Sequence, residues 1–170
     1  MLKLPDMSIR FAHASITARD LVRLAEFYGN VFDCAPALPE KSFSGEWLEK
    51  GTGVPGAAFK RVHLKFPGDD GEEPPVLEII EYEVSSDGSP HAPANSKGLR
   101  HIAFETETVD ELKRRRELVL AHGGSKLGEI TSRRIEGVGE VTFVYLTDPE
   151  GNIVELVNWQ EPDPMPPAEE

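Results

Sequence analysis

Four residues with metal-binding side chains stand at matching positions in the two halves of the sequence. They are His13 and Glu78 in the first half and His101 and Glu155 in the second. Each histidine stands in a short segment that precedes a helical pattern. Each glutamate stands in a segment that reads apolar, Glu, apolar, apolar, polar, aromatic. The return of the same two residue types at equivalent places predicts a duplicated chain, with a site that draws on both copies.

The local pattern predicts that both glutamates lie on strands covered on both faces. Neighbouring side chains of a strand point to opposite faces, and apolar residues flank Glu78 and Glu155 on either side. A carboxylate buried in such a place is costly unless it finds a partner, and a divalent cation is one such partner. A lone strand histidine or glutamate is most often structural, so the prediction depends on the joint pattern. Two imidazoles and two carboxylates suit zinc, nickel, manganese or iron(II).

Hydrophobic periodicity predicts the elements that carry the first pair. Strand patterns alternate with period two, whereas helix patterns repeat every three to four residues. We expect a strand, a helix capped by Asp20, and three further strands. These elements are predicted at 9–17, 21–32, 43–48, 57–66 and 76–84. Pro36 and Pro39 are expected to stop the helix, and His63 is expected to face outward from its strand.

The same order of elements returns after a linker rich in Ser, Pro and Ala. Its strands and helix are predicted at 99–106, 109–121, 129–135, 139–147 and 152–159. The run Asp148-Pro149-Glu150-Gly151 predicts a turn before the last strand. The sequence therefore predicts an α+β fold of two tandem βαβββ modules within a single domain, residues 1–160. Module one spans 9–84, the linker 85–97 and module two 98–160, and the Pro- and Glu-rich tail 161–170 is predicted to be disordered.

Three motifs resemble those of the vicinal oxygen chelate superfamily, which includes glyoxalases, bleomycin resistance proteins and extradiol dioxygenases. The run HASITARDL at 13–21, followed by Phe27-Tyr28, resembles the opening of the family's first module. HIAFE at 101–105 resembles the opening of the second module, and DPEGNIVEL at 148–156 is similar to the family's closing motif. Phe32-Asp33-Cys34 departs from the Leu-Gly that often ends the first helix. The segment 36–56 has no clear match, and we expect it to shape the substrate pocket.

The resemblance, which covers about residues 9–160, implies a curved mixed sheet around a metal cleft. His13, Glu78, His101 and Glu155 fall on the family's four ligand positions, a set close to that of glyoxalase I and of methylmalonyl-CoA epimerase-like members. It implies a metal-dependent lyase or isomerase that acts next to a carbonyl of a small oxygen-chelating substrate, through a metal-stabilised enolate. Glu155 or Glu78 would move the proton. A homodimer is expected by the same analogy.

Two other functions remain open at this point. An extradiol-type dioxygenase would use iron(II) with two histidines and one glutamate, for which His13, His101 and Glu155 would serve and to which Tyr145 could add a substrate contact. Glu78, as a fourth ligand, argues against this function. A binding protein that sequesters a drug or another small molecule is the second alternative, and the complete ligand set argues against it.

Composition excludes several other classes of protein. The net charge of −12 disfavours nucleic acid as a partner. The one cysteine, Cys34, excludes a disulfide framework and a thiolate metal site within one chain, and we expect it to be a small buried residue. No apolar run is long enough to span a membrane. The first residues lack the apolar core of a signal peptide, so we expect a cytoplasmic protein.

Overall fold

The computed structural model describes residues 10–68, 74–86 and 92–161. The chain divides into two compact units, Met1–Ser86 and Asp87–Glu170. Each unit has its own mixed sheet with a long helix packed against it. This architecture confirms the α+β class and the two βαβββ modules. Residues 87–91 of the predicted linker and residues 162–170 of the predicted tail lie outside the described residues.

The described residues of the first unit form four strands and two helices. The elements in chain order are β1 (His13–Thr17), α1 (Leu21–Phe32), β2 (Ala35–Ser44), α2 (Glu46–Thr52), β3 (Ala58–Lys65) and β4 (Val76–Tyr82). The sheet order is β1-β4-β3-β2, with β1 parallel to β4 and the other pairs antiparallel. Helix α1 packs its apolar stripe on β3 and β4. The Asp20 side chain accepts a hydrogen bond from the Arg23 N–H, which confirms the predicted cap.

The second unit repeats this arrangement. Its elements are β5 (His101–Glu105), α3 (Val109–Ala121), β6 (Ser125–Lys126), β7 (Thr131–Ile135), β8 (Gly139–Thr147) and β9 (Ile153–Gln160). Strand β5 is parallel to β9, β9 is antiparallel to β8, and β6 and β7 both pair with β8. The N–H of Ala18 donates to the Ile80 carbonyl in unit one, and the N–H of Thr106 donates to the Val157 carbonyl in unit two. The two units therefore share the strand order. They also share the hydrogen bond from the residue that follows the first strand to a carbonyl of the last strand.

The predicted strand at 43–48 is right only for Phe43 and Ser44, which end β2, and helix α1 ends before the prolines that were expected to stop it. Helix α1 ends at Phe32 because Asp33 adopts a left-handed conformation, with φ of 57°. Pro36 and Pro39 then lie within β2, whose pairing with β3 is shifted between Pro36 and Leu38 and again between Leu38 and Lys41. Proline is tolerated there because β2 is an edge strand with bulges, where a missing N–H breaks no ladder.

A short helix replaces the end of the predicted strand. Helix α2 places Leu48 in a small apolar cluster with Ala57, Phe59 and Ile80, against which Phe43 and Tyr82 also pack. Ile80 lies two residues after Glu78 on β4, so this cluster covers part of the sheet face that carries Glu78.

Cys34 lies buried between α1 and β2, as expected. Burial, with a smaller contribution from the charge of Asp33, raises the pKa of its thiol to about 12. The thiol is therefore protonated at neutral pH, and Cys34 is not a nucleophile.

The predicted turn before the last strand is confirmed, and it is built around one buried carboxylate. Asp148 is 2% exposed. Its Oδ1 accepts hydrogen bonds from the N–H groups of Glu150 and Asn152, both at 2.9 Å, and its Oδ2 accepts one from the Asn152 side chain at 2.8 Å. Gly151 supplies a φ of 89°. The turn fixes the pairing of Thr147 with Ile153 and thereby the position of Glu155 along β9.

We expect Asp148→Ala to lower the free energy of unfolding by about 2–4 kcal/mol, because three hydrogen bonds to a buried charged group disappear together. Urea unfolding followed by circular dichroism measures this change. Asp110→Ala is the matched control, since Asp110 is exposed and forms only a surface ion pair with Lys113; its effect should stay within about 0.5 kcal/mol. Equal effects of the two substitutions would contradict the role assigned to this turn.

Candidate functional site

The pairing of β1 with β4 places His13 beside Glu78. Ser15 is the register partner of Glu78, and His13 lies two residues earlier on the same face of the sheet. His13 Nε2 is 3.7 Å from Glu78 Oε1. Glu78 is 5% exposed, as the apolar pattern around it predicted.

The second unit repeats this geometry with His101 and Glu155. Ala103 is the register partner of Glu155, and His101 again lies two residues earlier. His101 Nε2 is 3.1 Å from Glu155 Oε2, and the side chains are 35% and 17% exposed. The structure thus places the predicted residues as two His–Glu pairs, one within each unit.

The strand on the other side of each glutamate adds a second neighbour. His63 of β3 is the register partner of Glu78, and Tyr145 of β8 is the register partner of Glu155. His63 Nε2 lies 2.9 Å from Glu78 Oε2, and its side chain is 15% exposed. The prediction that His63 faces outward is therefore wrong. Val62 and Leu64 take the opposite face of β3, as the alternation predicts, but the face that carries His63 is also covered, by Glu78 and the apolar cluster around Phe59 and Ile80.

Arg61 is a further residue at this site that the sequence analysis missed. It lies two residues before His63 on the same face of β3. Its Nη1 donates a hydrogen bond to Glu78 Oε2 at 2.9 Å, and its guanidinium lies over the Phe43 ring, 4.7 Å from the ring centroid. The alternation of Phe59, Arg61 and His63 along β3 is the sequence signal that could have placed both residues beside Glu78.

The two glutamates differ in their surroundings. Burial acts to raise the pKa of Glu78, but hydrogen bonds from His63 and Arg61, together with the nearby charge of His13, outweigh it and leave the pKa below its usual value. Glu78 is therefore ionised and held by several donors at neutral pH. In unit two, burial and the charge of Glu155 raise the pKa of Tyr145, so this phenol keeps its proton. The Tyr145 ring also lies against His101, with the ring centroids 5.1 Å apart.

The donors of each pair fit a divalent cation in type. Within the described residues, no group of three or more His, Cys, Asp or Glu side chains is itself arranged to hold a metal ion. Each unit instead offers one imidazole nitrogen and one carboxylate oxygen, which are ordinary ligands of zinc and related metals. Arg61 and His63 oppose this fit, because both share the Glu78 carboxylate.

A cavity lies beside the residues that hold Glu78 in unit one, and another lies beside His101 in unit two. In unit one, a cavity of about 180 Å³ is lined by Leu38, Pro39, Lys41, Phe43, Arg61 and His63. In unit two, a more open cavity of about 510 Å³ is lined by residues 94–101 and Tyr145, and it includes His101. The segment 36–56, which was expected to shape the substrate pocket, therefore forms one side of the first cavity.

Solved structures similar to this chain share its fold. A glyoxalase family protein from Bacillus cereus matches with a TM-score of 0.74 at 18% identity, over 92% of this chain and 99% of that one. A glyoxylase/bleomycin resistance protein/dioxygenase domain from Frankia sp. EAN1pec matches with a TM-score of 0.55 at 17% identity, over 93% and 100%. A variant of glyoxalase I from Zea mays matches with a TM-score of 0.59 at 19% identity, over 86% of this chain and 45% of that one.

Three further observations bear on identity. A search of the curated proteins found no match to this chain. None of the helices in the described ranges is both long and apolar enough to cross a membrane. The family model described as Glyoxalase/Bleomycin resistance protein/Dioxygenase superfamily matches residues 10–156. The chain, with its two βαβββ modules, therefore belongs to the glyoxalase/bleomycin resistance protein/dioxygenase superfamily.

Proposed function

We propose that this protein is a metal-dependent lyase or isomerase that acts on the carbon next to a carbonyl group of a small substrate. The observation that carries this proposal is the repeated His–Glu pair, at the same register of the same strand pair in both units. A duplicated structural core needs no polar residues at these positions. Two carboxylates each placed beside an imidazole instead suit the binding of a cation.

In this proposal His13, Glu78, His101 and Glu155 are the ligands of one divalent ion, either zinc, nickel, manganese or iron(II). The bound ion would act as a Lewis acid toward substrate oxygens. Glu78 Oε1 is the oxygen that faces His13, while Oε2 receives the hydrogen bond of Arg61. Arg61 and His63 hold the carboxylate so that one oxygen remains for a ligand role, as partners around metal ligands commonly do.

Glu155 is the better candidate for moving a proton. Glu78 is held by Arg61 and His63, and its lowered pKa makes it a weak base. Glu155 has His101 as its close partner and is the more exposed of the two carboxylates. One Glu155 oxygen can then accept a proton from the substrate carbon and return it to a neighbouring atom. Tyr145 keeps its proton and can donate a hydrogen bond to a substrate oxygen.

Metal content tests the ligand set. We expect the chain, loaded with zinc or nickel and desalted, to retain about one ion per chain. His13→Ala and His101→Ala should each reduce the retained metal to about a tenth or less, because each removes one ligand. His122→Ala is the matched control, since His122 is exposed at the end of α3, and it should keep the full content. Plasma mass spectrometry gives the ratio, and full retention in both ligand variants would rule out this ligand set.

Hydrogen exchange tests the proposed base. In D₂O, the protein should incorporate deuterium at the carbon next to the carbonyl of an α-ketoaldehyde–thiol hemithioacetal, measured by proton NMR. Glu155→Gln should slow this exchange by about 10²–10⁴-fold, the usual contribution of a general base. Glu136→Gln, in the exposed turn between β7 and β8, should leave the rate unchanged. If Glu78→Gln stops the exchange while Glu155→Gln leaves it intact, the roles of the two carboxylates are assigned the wrong way round.

An extradiol-type dioxygenase is a second candidate, and one observation favours it. Arg61 and His63 both hold Glu78 Oε2, so Glu78 can serve as a positioning anion while His13, His101 and Glu155 bind iron(II) as two histidines and one carboxylate. Glu78→Gln separates the two functions. In a dioxygenase this variant keeps its iron and consumes oxygen with a catechol, whereas in the four-ligand enzyme it loses most of its metal.

A further inference from the structure

The cavity of unit one is built by an irregular edge strand. Between Leu38 and Lys41, β2 advances three residues while β3 advances two, from His63 to Arg61, so that one residue of β2 is extra. A bulge of this kind re-aims the side chains around it. Leu38, Pro39 and Lys41 therefore all line the same cavity as Arg61 and His63. In unit two the edge position beside β8 is instead shared by two separate strands, β6 and β7.

The size and the lining of the cavity suit one ring. Its volume of about 180 Å³ is close to the roughly 150 Å³ of an apolar cavity known to hold one benzene molecule. Leu38, Pro39 and Phe43 supply the apolar part of the lining. Small-molecule sites combine such walls with a few placed polar groups that fix the orientation of the ligand.

The charges around the cavity suit one anionic group. Lys41 and Arg61 carry two positive charges at its edge, and Glu78, which contacts Arg61, carries one negative charge. Lys41 has no ion-pair partner among residues 10–68 and 74–86 of its unit. A hydrogen bond to Glu81 raises the pKa of Lys60, and the charge of Glu40 adds to this shift. Lys60 and Arg61 are neighbours on β3, so Lys60, whose pKa the charge of Glu40 raises, lies on the face of the sheet opposite Arg61.

We propose that this cavity binds a ring-sized monoanion, such as an aryl carboxylate, with the carboxylate on Arg61 and Lys41 and the ring against Leu38, Pro39 and Phe43. Nη1 of Arg61 is occupied by Glu78, and the remaining N–H groups of the guanidinium are available for the incoming carboxylate. That this ligand is part of the substrate rests on the proposed function. The binding itself requires only residues of unit one.

Binding is tested on the full chain after treatment with EDTA, so the result does not depend on a metal. Trp47 packs edge-on against Phe43, with the ring centroids 6.1 Å apart, and its fluorescence reports on the cavity. Trp159→Phe removes the other tryptophan and serves as the background. Benzoate should give saturable quenching with a dissociation constant at least about tenfold lower than those of benzamide, which lacks the charge, and acetate, which lacks the ring.

Lys41→Met should weaken benzoate binding about three- to tenfold and leave benzamide binding unchanged. Lys126→Met, on an exposed strand of unit two, is the matched control and should change neither. The proposal would be overturned by any one of four results: equal binding of benzoate and benzamide, equal binding of benzoate and acetate, the absence of saturable binding, or an unchanged Lys41→Met variant.

If metal is retained and benzoate does not bind, the cavity proposal fails and the metal proposal stands. If benzoate binds and no metal is retained, the metal proposal fails and the cavity proposal stands.

Discussion

Parallel pairing between the first and the last strand of each unit sets the positions of the proposed ligands. Side chains of a strand alternate between faces, so a histidine two residues before the register partner of a glutamate must share that glutamate's face. β1 and β4 satisfy this relation for His13 and Glu78, and β5 and β9 satisfy it for His101 and Glu155. A slip of one residue in either pairing would turn the histidine away from the carboxylate. The register of these strands is therefore the constraint on which the proposed chemistry depends.

The two units have diverged around this shared pair. The position opposite Glu78 holds His63, whereas the position opposite Glu155 holds Tyr145. Hydrogen bonds from His63 and Arg61, together with the charge of His13, fix the Glu78 carboxylate and lower its pKa. Duplication thus supplies two similar pairs, and the strands beside the two glutamates, β3 and β8, give the two carboxylates different properties. A site that needs one anchored carboxylate and one proton-transfer group requires this kind of asymmetry.

Much of the fold could be predicted because local chemistry fixes it. The Asp20 cap, the apolar stripe of α1 and the Asp148–Gly151 turn each act within a few residues. β2 and α2 could not be predicted in this way. Proline usually ends a regular helix or strand. Pro36 and Pro39 are acceptable in β2 only because β2 is an edge strand with bulges. Likewise His63 lies between two apolar residues on β3. Whether its side chain faces solvent or Glu78 depends on the pairing of β3 with β4, which sequence periodicity alone leaves undetermined.

The central claim is that imidazole and carboxylate from both copies of the duplicated pair bind one ion. X-ray absorption spectroscopy of the zinc-loaded protein measures this coordination directly. We predict a first shell of nitrogen and oxygen at about 2.0–2.2 Å, with outer-shell scattering that corresponds to two imidazoles and with no sulfur. Scattering from a sulfur ligand, or a shell without imidazole, would contradict the account.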